Sequence, residues 1–286
     1  MAILCKCIND DVLLNSKNTK FHLKPHIARV LIVKFRDLRS NISFASVTLR
    51  PELLFCATNL FIDKNLKYII VKYNGERLYL SYDSFKILER QLKMEFLGYA
   101  GSILQEQVVN PINGKILPVL SCSKFTKNFF LTGITTSTPL HSTFDYAALY
   151  NMHSHIIKNL KQKDFIRILP DAKNFTIGRS LGDMHTGDSK VTHYGIPSLA
   201  YLEALNSHPD AIKEMLEFAN NLLNFEEAKW GVINKGKYKG MNLRRASRLI
   251  QANLISKKMA FTIYSVINNE PILCNCGAKG IVVKEP

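Results

Sequence analysis

The chain has 286 residues, 47% of them hydrophobic, and carries a net charge of +15 from 38 Lys+Arg against 23 Asp+Glu. That apolar content supports a buried core and excludes chain-long disorder. The absence of any run of about 18 apolar residues excludes a spanning helix, and Met1 to Asp10 lacks the apolar stretch of a signal peptide. The expectation is a cytoplasmic protein with reduced cysteines, no membrane contact and a polyanionic partner, nucleic acid before all others.

Residues 1–27 read as polar and irregular. Strands are expected at Ala28–Phe35, where Val30 to Val33 are apolar in a row, and at Ser43–Thr48, a β-branched and aromatic run. Pro51 suits a first helical turn. Lys67–Tyr73 and Arg77–Leu80 flank Asn74-Gly75, which supplies the positive φ angles of a type I′ hairpin turn. Tyr82–Leu92 places Phe85, Leu88 and Leu92 on one helical face. Asn110-Pro111 and Asn113-Gly114 mark turns that feed a strand at Ile116–Leu120. Asn128–Thr136 is β-prone, Thr143–Leu160 is helical, and 161–195 is loop-like. Helices are expected at Pro197–Leu205, Pro209–Leu223 and Met241–Lys257, the last with Leu243, Ala246, Ile250 and Leu254 in one stripe. Short strands at Phe261–Ile267 and Gly280–Lys284 close the chain. The class is α+β: a β-barrel-like core with peripheral helices and a helical C-terminal portion.

Two C-x-C pairs sit near the two ends, Cys5/Cys7 and Cys274/Cys276, with Gly277 available for a tight turn. Two close pairs on separate turns are the pattern of a structural zinc site; four reduced thiols are the alternative. His153, His155 and His185 lack such spacing.

Two longer segments carry a resemblance. Thr48-Leu49-Arg50-Pro51-Glu52-Leu53-Leu54-Phe55-Cys56-Ala57-Thr58-Asn59 is similar to T-x-R-P-E-T-x-(F/Y)-G-x-T-N. Leu131-Thr132-Gly133-Ile134-Thr135-Thr136-Ser137-Thr138-Pro139, followed by Asp145-Tyr146, is similar to G-T-G-V-V-x-S-V-P with a later Asp. Asn110-Pro111-Ile112-Asn113-Gly114, Tyr238-Lys239-Gly240 and Cys274-Asn275-Cys276-Gly277 add weaker matches in the same order. These motifs resemble the editing insert of archaeal and eukaryotic-type leucyl-tRNA synthetases, over roughly residues 28–284.

The resemblance implies a division into an N-terminal extension with half of a zinc knuckle (1–27), a β-rich editing core (28–160) and the remainder of the insert, ending in the second half-knuckle (161–286). It implies hydrolysis of a wrong aminoacyl ester from the 3′ end of tRNA-Leu, with no cofactor for the chemistry beyond a structural zinc. The rest of a leucyl-tRNA synthetase is the implied partner. Neither an HIGH-like nor a KMSKS-like signature is present, so ATP-dependent charging belongs to that parent enzyme.

The chemistry needs a positioned water, help for a developing oxyanion and an anchor for the α-ammonium. On residues alone Asp145 reads first as an acid at a helix start; the resemblance reverses that, because Asp145 matches the family's ammonium-binding Asp. Thr48, Thr132 and Thr135 offer hydroxyls for the water or the terminal adenosine, although strand threonines are common. Arg50 suits a phosphate or a surface ion pair. His141 is a ligand contact or a base of second rank. Arg244, Arg245 and Arg248 track an RNA backbone or simply face solvent. Leu53 stands where the family has a specificity Thr, Cys56 replaces a Gly, and Leu131 replaces the first Gly of G-T-G. These departures motivate the competing reading of a diverged, non-catalytic tRNA-binding or assembly module.

Overall fold

In the computed structural model, the described residues are 2–48, 51, 54, 57–104, 106–122, 132–138, 145, 148–149, 243–267 and 272–285, with the side chains of 243–247 excepted. The alternation of apolar residues along the strands dictates a closed barrel. The strands are β1 (Ala2–Cys7), β2 (Ile27–Asp37), β3 (Ile42–Thr48), β4 (Asn59–Ile62), β5 (Tyr68–Tyr73), β6 (Glu76–Ser81), β7 (Glu95–Tyr99), β8 (Gln107–Val109), β9 (Ile116–Ser121), β10 (Ile134–Ser137), β11 (Ala260–Val266) and β12 (Gly280–Glu285). Two helices, α1 (Tyr82–Leu88) and α2 (Leu243–Ser256), flank them.

Six strands close on themselves in the order β2-β8-β9-β4-β10-β3, with β3 pairing back onto β2. Alternate residues face inward: Leu31, Val33 and Phe35 of β2, Phe44 of β3, Leu60 and Ile62 of β4, Val108, Leu117, Val119 and Ile134 form one cluster. Ile250 and Leu254 of α2 join that cluster, as the expected stripe requires. Burying each such aliphatic side chain contributes roughly 1.5–3 kcal/mol.

The opposite faces of β2 and β3 are apolar too, because a second layer covers them. Val30, Ile32 and Ala45 pack with Ile69, Val71, Leu78 and Leu80 of the β5–β6 hairpin and with Leu88 of α1. The hairpin turns at Asn74 (φ 49°) and Gly75 (φ 84°), as the Asn-Gly pair requires. Sheet order continues β3-β6-β5-β7 on one side of the barrel and β2-β11 on the other.

Three expectations are corrected. Residues 1–27 are not wholly irregular, because β1 pairs antiparallel with β12 from Ala2↔Glu285 to Cys7↔Gly280. Helix α1 stops at Leu88 rather than Leu92, since Arg90 and Gln91 donate to Ile87 and Leu88 in tighter turns. Strands β4, β7 and β8 form where none was expected; each is short and is held by its partners, β10 and β9 for β4, β5 for β7, and the adjacent β9 with distant β2 for β8. Of Thr143–Leu160, residues 145, 148 and 149 are helical. The expectations for 161–195, 197–205 and 209–223 lie outside the described residues.

Candidate active site

β10 organises the site. It runs antiparallel to β4, with Thr135 opposite Phe61 and Ser137 opposite Asn59, and parallel to β3 through Thr135↔Val47. Ile134 points into the barrel, so the period of two sends Thr136 inward and Thr135 and Ser137 outward. The inward hydroxyls meet: Ser46 Oγ and Thr136 Oγ1 are 2.8 Å apart. The outward face is covered by the helical residues near 148, where Ala148 and Leu149 pack on Phe61 and Cys122.

At the C-terminal end of β10 polar groups accumulate. Thr138 donates its backbone N–H to Asp145 Oδ2 at 2.7 Å, and Asp145 is buried. Thr58 donates its hydroxyl to Asn59 Oδ1 at 2.7 Å, and its N–H reaches the Ser137 carbonyl at 3.1 Å. Asn59 Nδ2, Ser137 Oγ and Thr135 Oγ1 are buried without a hydrogen-bond partner among the described residues. Leaving such a group unsatisfied costs about 1–3 kcal/mol each. All three lie on the outward faces of the paired strands β4 and β10, and with the buried Asp145 carboxylate bonded to Thr138 they form a buried polar recess.

The expected residues sort accordingly. Thr135 and Asp145 flank this recess, and Thr48, half-buried at the end of β3, follows Val47, the register partner of Thr135. Thr132 lies at the other end of β10. It is buried, with its hydroxyl donating to Ile134 O at 3.1 Å and its carbonyl accepting from Ser81 N at 2.8 Å. Arg50, Leu53 and His141 lie outside the described residues, as do Cys56 and Leu131. Arg244 and Arg245 fall within α2, their side chains undescribed, and Arg248 is exposed on it. Asn59, Ser137 and Thr138 escaped sequence reasoning. Asn59 and Ser137 stood inside the quoted motifs, but only pairing of β4 with β10 reveals that they share a face.

The chain ends form a second constellation. Pairing of β1 with β12 brings Cys7 to the turn at Cys274–Ala278, where Gly277 (φ 85°) donates its N–H to Cys274 O at 2.8 Å. Cys7, Asp10, Cys274 and Cys276 offer ligand atoms within 4.8 Å of one another. Cys7 Sγ is 3.5 Å from Cys276 Sγ and 3.6 Å from Asp10 Oδ2. Hydrogen bonding to the Asp10 carboxylate holds the Cys276 thiol up, at about 12, whereas a backbone hydrogen bond from Cys276 draws Cys274 down. Three sulfurs and a carboxylate at this spacing suit a tetrahedral zinc, whose ligand atoms stand roughly 3.8 Å apart for Zn–S bonds of about 2.3 Å. Cys5 is not among the four. It is buried with Leu14 and Ile272, and burial raises its thiol to about 11.

The fold has counterparts in solved structures. The cytosolic leucyl-tRNA synthetase editing domain of P. falciparum superposes with a TM-score of 0.52 over 83% of this chain and 99% of that one, at 15% identity. This is the fold of the leucyl-tRNA synthetase editing domain. In sequence, the chain is 26% identical over 295 residues to a leucine–tRNA ligase of Pyrobaculum neutrophilum, and 27% identical over 261 residues to one of Methanopyrus kandleri. These alignments cover 97% and 90% of this chain but 29% and 26% of those ligases. The chain thus spans under a third of the relatives it matches. No family model matches it. Among the described residues, no helix of this editing-domain fold is long and apolar enough to cross a membrane.

Proposed function

We propose that the chain hydrolyses wrong aminoacyl esters from the 3′ end of tRNA-Leu, as the editing portion of a leucyl-tRNA synthetase working with the rest of that enzyme in the cytoplasm. The observation that carries the reading is the buried Asp145 carboxylate beside three polar atoms unpartnered among the described residues, on a barrel of the editing-domain fold.

Asp145 anchors the α-ammonium of the substrate. The Thr138 N–H and hydroxyl, at 2.7 and 3.5 Å from Oδ2, fix the orientation of that carboxylate. Thr48 orients a water, whose oxygen bonds to the ester carbonyl carbon. The carbonyl oxygen takes the negative charge, and donors such as Asn59 Nδ2 and Ser137 Oγ stabilise it. The C–O bond then breaks, and the proton from water passes to the ribose oxygen as it leaves. An aminoacyl ester is activated, so placement and charge stabilisation suffice without a strong nucleophile.

Asp145→Asn keeps an acceptor for Thr138 N–H and removes the charge. Hydrolysis of mischarged tRNA-Leu should fall roughly 10- to 150-fold in kcat/KM, the worth of one charge-assisted hydrogen bond. Wild-type rates at background would return the chain to the non-catalytic tRNA-binding reading.

We further propose that Cys7, Asp10, Cys274 and Cys276 hold a structural zinc. The ion would tie the chain ends together and take no part in hydrolysis. Freshly purified protein should contain about one zinc per chain, and chelation should lower its Tm; Cys276→Ser should do both.

A further inference from the structure

A surface far along the sheet from β10 combines exposed rings with lysines. β7 is the edge strand, and it carries a bulge. Ile69 pairs with Tyr99 and Ile70 with Gly98, but Val71 pairs with Phe96, leaving Leu97 as the extra residue. Residues three apart on a regular strand face opposite ways. The bulge cancels that, so Phe96 and Tyr99 lie on one face with ring centroids 5.6 Å apart. Tyr82 joins them, 6.0 Å from Tyr99 and 6.5 Å from Phe96. Phe96 is 42% exposed and Tyr99 62%.

Cations surround these rings. Lys86 Nζ stands 4.8 Å from the centre of the Tyr82 ring. Beside Tyr99 opens a cavity of about 290 Å³, whose lining includes Lys64, Lys67, Gly101 and Ser102. Lys64, Lys67 and Lys86 are all exposed. The acids nearby are fewer: Asp83 on α1, and Glu95, which lies 3.9 Å from Lys72.

We infer that Tyr82, Phe96 and Tyr99, with Lys64, Lys67 and Lys86, form a stacking platform for an unpaired RNA strand. Ring faces accept any base, and the lysines meet the phosphates between them. The bulge also disrupts the edge ladder, which disfavours an added protein strand as the occupant. The net charge of +15 favours a polyanion over a neutral or basic protein. This surface shares no residue with the Asp145 recess, so the inference survives a failure of the ester-hydrolase reading.

The test is fluorescence anisotropy with the full chain and a labelled unpaired RNA of about eight nucleotides, beside a duplex of equal length. Wild type should prefer the single strand. Tyr99→Ala should weaken binding at least about fivefold, and Phe96→Ala with Tyr99→Ala further, with Tm unchanged for the exposed Tyr99 variant. Lys64→Glu with Lys67→Glu should weaken binding and flatten its salt dependence. The labelled RNA carries no aminoacyl ester, so its binding is read separately from hydrolysis. Wild-type affinity in both ring variants would overturn the inference. So would a wild type that binds no RNA, or one that self-associates through these rings.

Discussion

The two ends of β10 carry similar side chains and opposite chemistry. At the N-terminal end the Thr132 hydroxyl and the Thr132 and Gly133 carbonyls all have partners. Thr132 bonds to Ile134 and Ser81, and the Gly133 carbonyl accepts the Tyr68 hydroxyl at 2.6 Å. Tyr68 in turn accepts the Asp63 N–H at 3.0 Å. Within β10 and toward its C-terminal end, Thr135, Ser137 and the facing Asn59 carry buried polar atoms with no partner among the described residues, and the next residue, Thr138, bonds to Asp145. A threonine whose hydroxyl is satisfied holds the fold. One with no partner among the described residues is where the proposed substrate would make its contact.

The sharpest way to break this contrast is at Gly133. It sits at φ 74°, and an added Cβ would lie 2.7 Å from Ser81 Cβ. Gly133→Ala should cost roughly 2–5 kcal/mol, from a left-handed alanine and from overpacking. Denaturant unfolding measures this, and the surviving folded fraction should keep its affinity for aminoacyl-tRNA.

Tyr68→Phe leaves Asp63 N–H and Gly133 carbonyl short of a partner, at about 1–3 kcal/mol. It also changes the response to alkali. Burial raises the Tyr68 phenol above its ordinary value. Its contribution is therefore complete below the unfolded-state pKa of about 10 and is lost as pH rises from there toward the folded value. Wild-type stability should fall in that window, and Tyr68→Phe should flatten the fall, as read from unfolding midpoints against pH.

Smallest in energy but most diagnostic is a pair. Thr132→Val should lose about 1 kcal/mol of stability and no activity. Ser137→Ala should lose no stability, because its hydroxyl has nothing to give up, while hydrolysis falls several-fold. Thermal melts and deacylation rates on both variants decide whether the contrast holds.

Local signals in the sequence were readable where the chemistry is local. Asn74-Gly75 announced its hairpin and Leu243 to Leu254 announced α2. What the sequence hid was pairing at a distance. β1 reads as irregular until β12 supplies its register, more than 270 residues away. The same pairing selects Asp10 over Cys5 for the sulfur cluster, since Cys5 turns inward to Leu14 and Ile272. Thr132 and Thr135 are indistinguishable as letters. Thr132 precedes β10 and bonds within its turn, whereas Thr135 lies within the strand on its outward face.

The most direct measurement is a crystal structure with a non-hydrolysable, amide-linked aminoacyl-adenosine. The account predicts its ammonium within hydrogen-bond distance of the Asp145 carboxylate and its carbonyl oxygen near Asn59 Nδ2 or Ser137 Oγ. A ligand bound elsewhere, with Asn59, Thr135 and Ser137 still unpartnered, would contradict it.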